Sequence, residues 1–175
     1  MLPADPVTMI APLSLSNVLT TLCALMCLWT ASPQAAGGVW RLWRLATPAA
    51  FATVVSLMLL AGVFESTWQH DAEWLAALLL GGLIGRMRGW TLPVEIDQTW
   101  GLVRLPRARD AVFMAIGVVA MAALDFLSAA VEEAVVEPQH IAAGSALFAG
   151  FLACRALAII VRSSRAPHVR LHDTA

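Results

Sequence analysis

The chain has no lysine and no tyrosine, and only 13% of its 175 residues carry a charge. A soluble domain needs about 25% charged residues to keep its surface wet. A chain that is 59% hydrophobic, with a mean hydropathy of +0.75, therefore belongs in lipid. The net charge is −1 and the arginines are scattered between apolar stretches, so the basic footprint of a nucleic-acid binder is missing. The absent lysine and tyrosine, beside abundant alanine and arginine, read as codon bias and carry no functional meaning. Cysteine is sparse too: Cys23 and Cys27 stand one helical turn apart, and Cys154 is far off. Cysteine in such surroundings acts as a small apolar residue, so neither metal nor redox use is expected of it, and no cofactor is assigned. No histidine falls in the middle of an apolar run, which argues against a haem held between two helices.

What is present is a series of long apolar runs. A helix needs about 20 mostly apolar residues to cross about 30 Å of hydrocarbon, and five stretches approach that length: Ile10–Ala31, Leu45–Phe64, Glu73–Gly89, Ala111–Val131 and Ile141–Val161. The third is the weakest, because Arg86 and Arg88 leave only the stretch Trp74–Gly85 uncharged. Snorkelling of Arg86 to the headgroups would let it span, and a re-entrant or interfacial helix is the alternative. The connections then separate by charge. Arg41 and Arg44 lie between runs one and two, Arg86, Arg88, Arg104, Arg107 and Arg109 between three and four, and Arg162, Arg165 and Arg170 after run five. Ten of the eleven arginines thus fall on one side and none on the other, with Arg155 inside the fifth run. The positive-inside rule places the N-terminus outside and the C-terminus in the cytoplasm. The outer connections carry Glu65, Asp71, Glu73, Glu132, Glu133 and Glu137 instead. Trp29, Trp40, Trp43, Trp68, Trp74 and Trp90 lie near run ends, as an aromatic belt requires. A cleaved signal peptide is the competing reading of the first run, given Ala31-Ser32-Pro33-Gln34-Ala35-Ala36 after it, but the cationic start that such a peptide needs is missing.

Small residues recur every four positions at Ala77, Gly81, Gly85 and Gly89, and again at Ala142, Ala146, Gly150, Cys154 and Ala158. Such spacing smooths one face of a helix for close approach by another backbone. These faces are expected to pack within the bundle or against a partner, with chance in an alanine-rich chain as the alternative. Between runs three and four, Leu92 to Asp97 and Leu102 to Pro106 alternate with period two around Gln98-Thr99-Trp100-Gly101, which predicts a short β-hairpin. An isolated hairpin is marginal in water, so its Leu92, Val94 and Ile96 side is expected to lie on the inner headgroup layer or on a partner.

Ionisable groups in hydrocarbon are costly and commonly pair or line a pathway, which singles out Asp125 and Arg155. Asp125 sits about 6 Å outward of its run's centre and Arg155 about 6 Å inward of its own, at a rise of about 1.5 Å per residue. An axial gap of about 12 Å results. Three readings of Arg155 stay open: snorkelling to inner phosphates, an ion pair with Asp125, or a proton or ion pathway using both. At the outer ends, His70, Asp71, Glu73, Glu133, Glu137 and His140 form either a cation site, since carboxylate and imidazole suit divalent metals, or a solvated acidic rim. His168 and His172 have metal spacing only if helical, in a tail expected to be mobile. The Gly144-Ser145 step has no base nearby, so hydrolase chemistry is unsupported.

The run Gly81 to Gly89, the segments Pro93-Val94-Glu95-Ile96-Asp97 and Gly101-Leu102-Val103-Arg104-Leu105-Pro106, and the run Gly150-Phe151-Leu152-Ala153-Cys154-Arg155 together resemble small multi-pass bacterial membrane proteins of the CcdC-like kind. Cys154 stands where such families often have a small residue before the last-span arginine. The resemblance covers roughly residues 75 to 162 and implies a bacterial inner-membrane protein, with no activity to carry over.

The expectation is therefore an all-α polytopic membrane helix bundle forming one integral membrane domain over 1–175. It has about five transmembrane helices, a cytoplasmic hairpin connection at 90–110 and a cytoplasmic tail at 163–175. The expected role is a non-enzymatic accessory or assembly subunit whose partners are the bilayer and a membrane protein or a second copy. The alternatives are proton-coupled or ion-translocating activity through Asp125 and Arg155, and metal binding at the outer face.

Overall fold

The computed structural model describes residues 14–63, 68–131 and 135–165. Glu65, Glu132, Glu133, His168, Arg170 and His172 lie outside the described residues. The elements run in the order α1 (Leu15–Ala35), β1 (Gly38–Arg41), α2 (Leu42–Ala61), α3 (Trp68–Thr91), β2 (Glu95–Asp97), β3 (Leu102–Leu105), α4 (Asp110–Val131) and α5 (Pro138–Ser163). α1, α2, α4 and α5 are long and apolar enough to cross a membrane. α3 has the length, 24 residues, but carries Asp71 and Glu73 at one end and Arg86 and Arg88 at the other.

Two helices continue through a proline, and each repairs the hydrogen bond that the proline removes. A proline at position i leaves the carbonyl at i−4 without its helical donor, a defect that lipid cannot solvate. In α2, Pro48 frees the Arg44 carbonyl, which accepts from the Thr47 hydroxyl at 2.9 Å and from the Gln34 amide of α1 at 3.2 Å. This accounts for Gln34 being buried among apolar neighbours. In α1, Pro33 frees the Trp29 carbonyl, and the Ser32 hydroxyl donates to it at 3.0 Å. Helix α1 thus runs to Ala35, beyond the Ala31 end expected from hydropathy.

The helices alternate in direction. Thr20 bonds Met58 and Cys27 bonds the Pro48 carbonyl, so α1 and α2 are antiparallel. Asn17 meets Asp125, bringing the start of α1 to the far end of α4. On α1 the buried positions are Thr20, Ala24, Cys27, Ala31 and Gln34, and on α4 they include Ala111, Ala115, Val118 and Ala122. Both series step by three or four residues, the spacing of a straight helix–helix seam, and their alanines let the backbones approach. α5 carries the most buried residues and packs against α2, α3 and α4.

α3 and α5 form a different kind of seam. A Cβ at Gly81 would fall on the Leu147 backbone, one at Gly85 on Phe151, and one at Gly89 within 2.8 Å of the Arg155 carbonyl. From the other side, a Cβ at Gly150 would fall on the Leu78 carbonyl. The partners rise together along both helices, so α3 and α5 run parallel and touch backbone to backbone. The only buried residues of α3 are Gly81, Gly82, Gly85 and Gly89, while Leu79, Leu80, Leu83, Ile84 and Met87 are exposed.

The sheet closes one end of the bundle. β2 and β3 form the hairpin around Gly101, whose φ of +60° is free for glycine. The sequence pattern did not signal that β1 pairs with β3 from the other side, which gives the order β1-β3-β2. Trp40, Val103 and Ile96 lie in one cross-strand row. The apolar side of the sheet rests on the bundle: Leu92, Ile96, Val103, Leu105 and Ala108 pack with Leu45 of α2 and Ile159 of α5. The Leu92 and Ile96 side expected on headgroups or a partner is instead buried by the chain's own helix ends. Arg41, Arg44, Arg86, Arg88, Arg104, Arg107, Arg109, Arg162 and Arg165 all belong to this end.

Candidate functional site

Two aspartates stand toward opposite ends of α4, one among arginines and one beside an amide. At the sheet end Asp110 opens α4, where a carboxylate faces the positive pole of the helix dipole. Arg155 of α5 donates to it through two atoms, Nε to Oδ2 at 3.1 Å and Nη2 to Oδ1 at 3.2 Å. Such a fork is geometrically demanding and strong. From α3, Arg88 Nε donates to the same Oδ2 at 3.0 Å. One carboxylate thereby joins three helices. The side chain of Arg155 is only 4% exposed and that of Arg88 is 46% exposed, so the inner pair carries most of the energetic weight. A third arginine completes this end: Arg162 Nη1 donates to the Gly89 carbonyl at 2.9 Å and to the Leu92 carbonyl at 2.8 Å. The last carbonyls of a helix lack intrahelical donors, so Arg162 serves as the C-terminal cap of α3. Its guanidinium also lies 5.9 Å from the Trp90 ring centroid.

At the opposite end, Asn17 Nδ2 donates to Asp125 Oδ2 at 2.9 Å, and Asn17 Oδ1 accepts from the backbone and hydroxyl of Ser14. Asp125 is half-buried. The structure does not bring Asp125 and Arg155 together, because Arg155 reaches toward the sheet end and finds Asp110. A carboxylate with one amide partner among the described residues is chemically able to take up and release a proton, whereas Asp110 is fixed between two cations.

The polar residues at the end of the bundle opposite the sheet are spread out. His140 Nε2 lies 3.4 Å from Glu137 Oε2, and both side chains are more than half exposed. His70, Asp71 and Glu73 stand on the first turns of α3. Among the described residues no three His, Cys, Asp or Glu side chains are placed to hold a metal ion, and Glu133 lies outside them. The three cysteines are free, and the Ser145 hydroxyl donates to the Ala142 carbonyl of its own helix at 2.7 Å. Of the small-residue positions, Gly81, Gly85, Gly89 and Gly150 lie in the α3–α5 seam, Ala146 is fully buried on α5, and Ala77 is half-buried.

Asp110 and Arg162 are structural ligands that the sequence reading passed over. The signal for Asp110 was available: an aspartate directly before the apolar run Ala111–Val131 is a helix-opening acid at the level where the arginines cluster. Comparison of the chain with protein-family models, curated proteins and solved structures found no match.

Proposed function

We propose that this membrane protein is an accessory or assembly subunit rather than an enzyme, and that it acts through its surfaces. The observation that supports this reading is the use made of its core charges. Arg155, Arg88 and Asp110 bond helix to helix, Arg162 caps a helix, and the glycine seam is consumed within the chain. What remains for partners is the arginine-rich sheet end and the exposed apolar flanks of α1 and α3. The collection of arginines at the sheet end supports a cytoplasmic location for that end, with the N-terminus outside. A bacterial inner membrane, as the CcdC-like resemblance implies, is the compartment proposed.

The second reading is proton or ion translocation through Asp125, favoured by its half-buried position and by an amide, Asn17, as its one partner among the described residues. Proteoliposomes separate the two readings. A subunit without transport activity leaves proton flux at the level of protein-free vesicles, and its mass in mild detergent exceeds the 18.7 kDa of one chain. Flux above that level, abolished by Asp125→Asn, would replace the first reading with the second.

A further inference from the structure

Where α2 meets the sheet, an open cleft of about 390 Å³ is lined by Arg41, Leu42, Trp43, Trp100 and Gly101. The Gly101 carbonyl accepts from the Leu42 amide at 3.1 Å, which fixes the hairpin tip against the first turn of α2. Trp43 and Trp100 are 59% and 63% exposed, so both rings stand out of the fold at the cleft. Arg44 is not in the lining, but its guanidinium lies over the ring of the lining Trp43 at 5.4 Å, a second cation at the rim of the cleft. Among the described residues no carboxylate lines the cleft. Asp97 is on the same sheet face, but Leu102 stands between it and Arg41 in the register. Asp97 is buried, and its Oδ1 accepts from the Thr99 and Trp100 amides.

A second observation identifies the occupant. Trp43 begins a stripe of exposed residues on α2, continuing through Ala50, Val54, Leu57 and Ala61. Steps of about 3.6 residues per turn keep these positions on one face. The cleft therefore sits at the head of an apolar track that runs down a membrane-length helix. A soluble phosphate compound has no use for such a track, and a track on a membrane-length helix faces acyl chains rather than a soluble peptide. A phospholipid needs both the cations and the track.

We propose that the cleft holds the phosphate of one anionic phospholipid. Arg41 and Arg44 supply the counter-charge, the Trp43 and Trp100 rings flank the glycerol level, and the acyl chains lie along Ala50, Val54 and Leu57. Aromatic rings favour that interfacial depth, and cations near a bilayer surface attract anionic lipid. The assignment holds whichever way the bundle is inserted, since both leaflets present phosphate.

The full chain in nanodiscs of mixed phosphatidylglycerol and phosphatidylcholine, released into mild detergent for native mass spectrometry, tests the proposal. One phosphatidylglycerol is expected to remain bound per chain, in preference to phosphatidylcholine. Arg41→Gln is expected to weaken retention about tenfold, the loss of roughly one charge-assisted contact. Trp100→Ala should weaken it by a smaller factor, and Arg165→Gln, outside the cleft, should leave it unchanged. Equal retention of the two lipids by the unmodified chain overturns the proposal without any variant. So does Arg41→Gln retaining lipid like the parent, or soluble glycerol 3-phosphate displacing the lipid at matched concentration.

Discussion

At the sheet end one aspartate holds two arginines, and a third arginine grips two backbone carbonyls. Toward the other end of the same helix, an aspartate has one amide partner among the described residues. Both aspartates sit on α4, some 15 residues apart, about 22 Å along the axis. The difference lies in what each end has to hold. The sheet end must join α3, α4 and α5 to a three-stranded sheet in a fixed register, so its polar bonds run between elements. At the opposite end, the Asn17–Asp125 contact joins only α1 and α4. Charge in this protein is structural where several elements converge and weakly constrained where only two do.

The largest effect that would break this comparison is expected from Asp110→Asn. Arg155, nine-tenths buried, would keep its charge and lose its counter-ion, a change that costs about 3–5 kcal/mol in buried pairs. Thermal unfolding in detergent should fall steeply, and the double variant Asp110→Asn with Arg155→Met should recover much of the loss. A single variant that unfolds like the parent would show that the fork is incidental. Next is Gly85→Leu, which pushes a side chain onto the Phe151 backbone and, at the top of the overpacking range, costs about 3 kcal/mol. Ile84→Leu on the exposed face of the same helix is the control and should change little. Equal stability of the two variants would mean that α3 is not held by its glycines.

These outcomes also measure how much of the arrangement was legible in the chain. Long apolar runs and the arginine distribution mark the membrane helices, and period-two alternation with Gly101 marks the hairpin, because each is a local pattern. β1 was invisible for the opposite reason: Gly38-Val39-Trp40-Arg41 is too short to alternate, and its partner Leu102–Leu105 lies some 60 residues on. The glycine spacing is plain in the sequence, and alternating runs already set the third parallel to the fifth, but that these two small-residue faces meet each other is not a local pattern. The partner of Arg155 was missed because its axial position was compared with Asp125, a residue toward the other end. Arg155 lies six residues before the end of the fifth apolar run, about 9 Å from that end, a gap that its long side chain and an aspartate at the opening of α4 close together.

Arg162→Gln sharpens the comparison on the sheet side. Removing a cation that caps two carbonyls is expected to cost about 1.5 kcal/mol, less than Asp110→Asn because the carbonyls at Gly89 and Leu92 lie near enough to the helix end to recruit water. Hydrogen exchange should rise at the last turn of α3 and in β2 while the middle of α5 is unchanged. A rise spread over all five helices would mean that Arg162 supports the whole bundle rather than one helix end.

The smallest stability change is expected from Asp125→Asn. The amide has nearly the shape of the carboxylate, and its oxygen can still accept the Asn17 Nδ2 bond. Membrane hydrogen bonds of this kind average only about 0.6 kcal/mol. The variant should therefore melt within a degree or two of the parent, in contrast to Asp110→Asn, the same atom-for-atom exchange on the same helix. If the two exchanges instead cost the same, the opposite end would hold a charge-dependent contact as firm as the sheet end, and the contrast between the ends would fail. If Asp125→Asn were neutral in stability yet removed a measurable proton flux, the looseness of that end would be its function, since a carboxylate that is not committed to the fold is the one free to change its protonation.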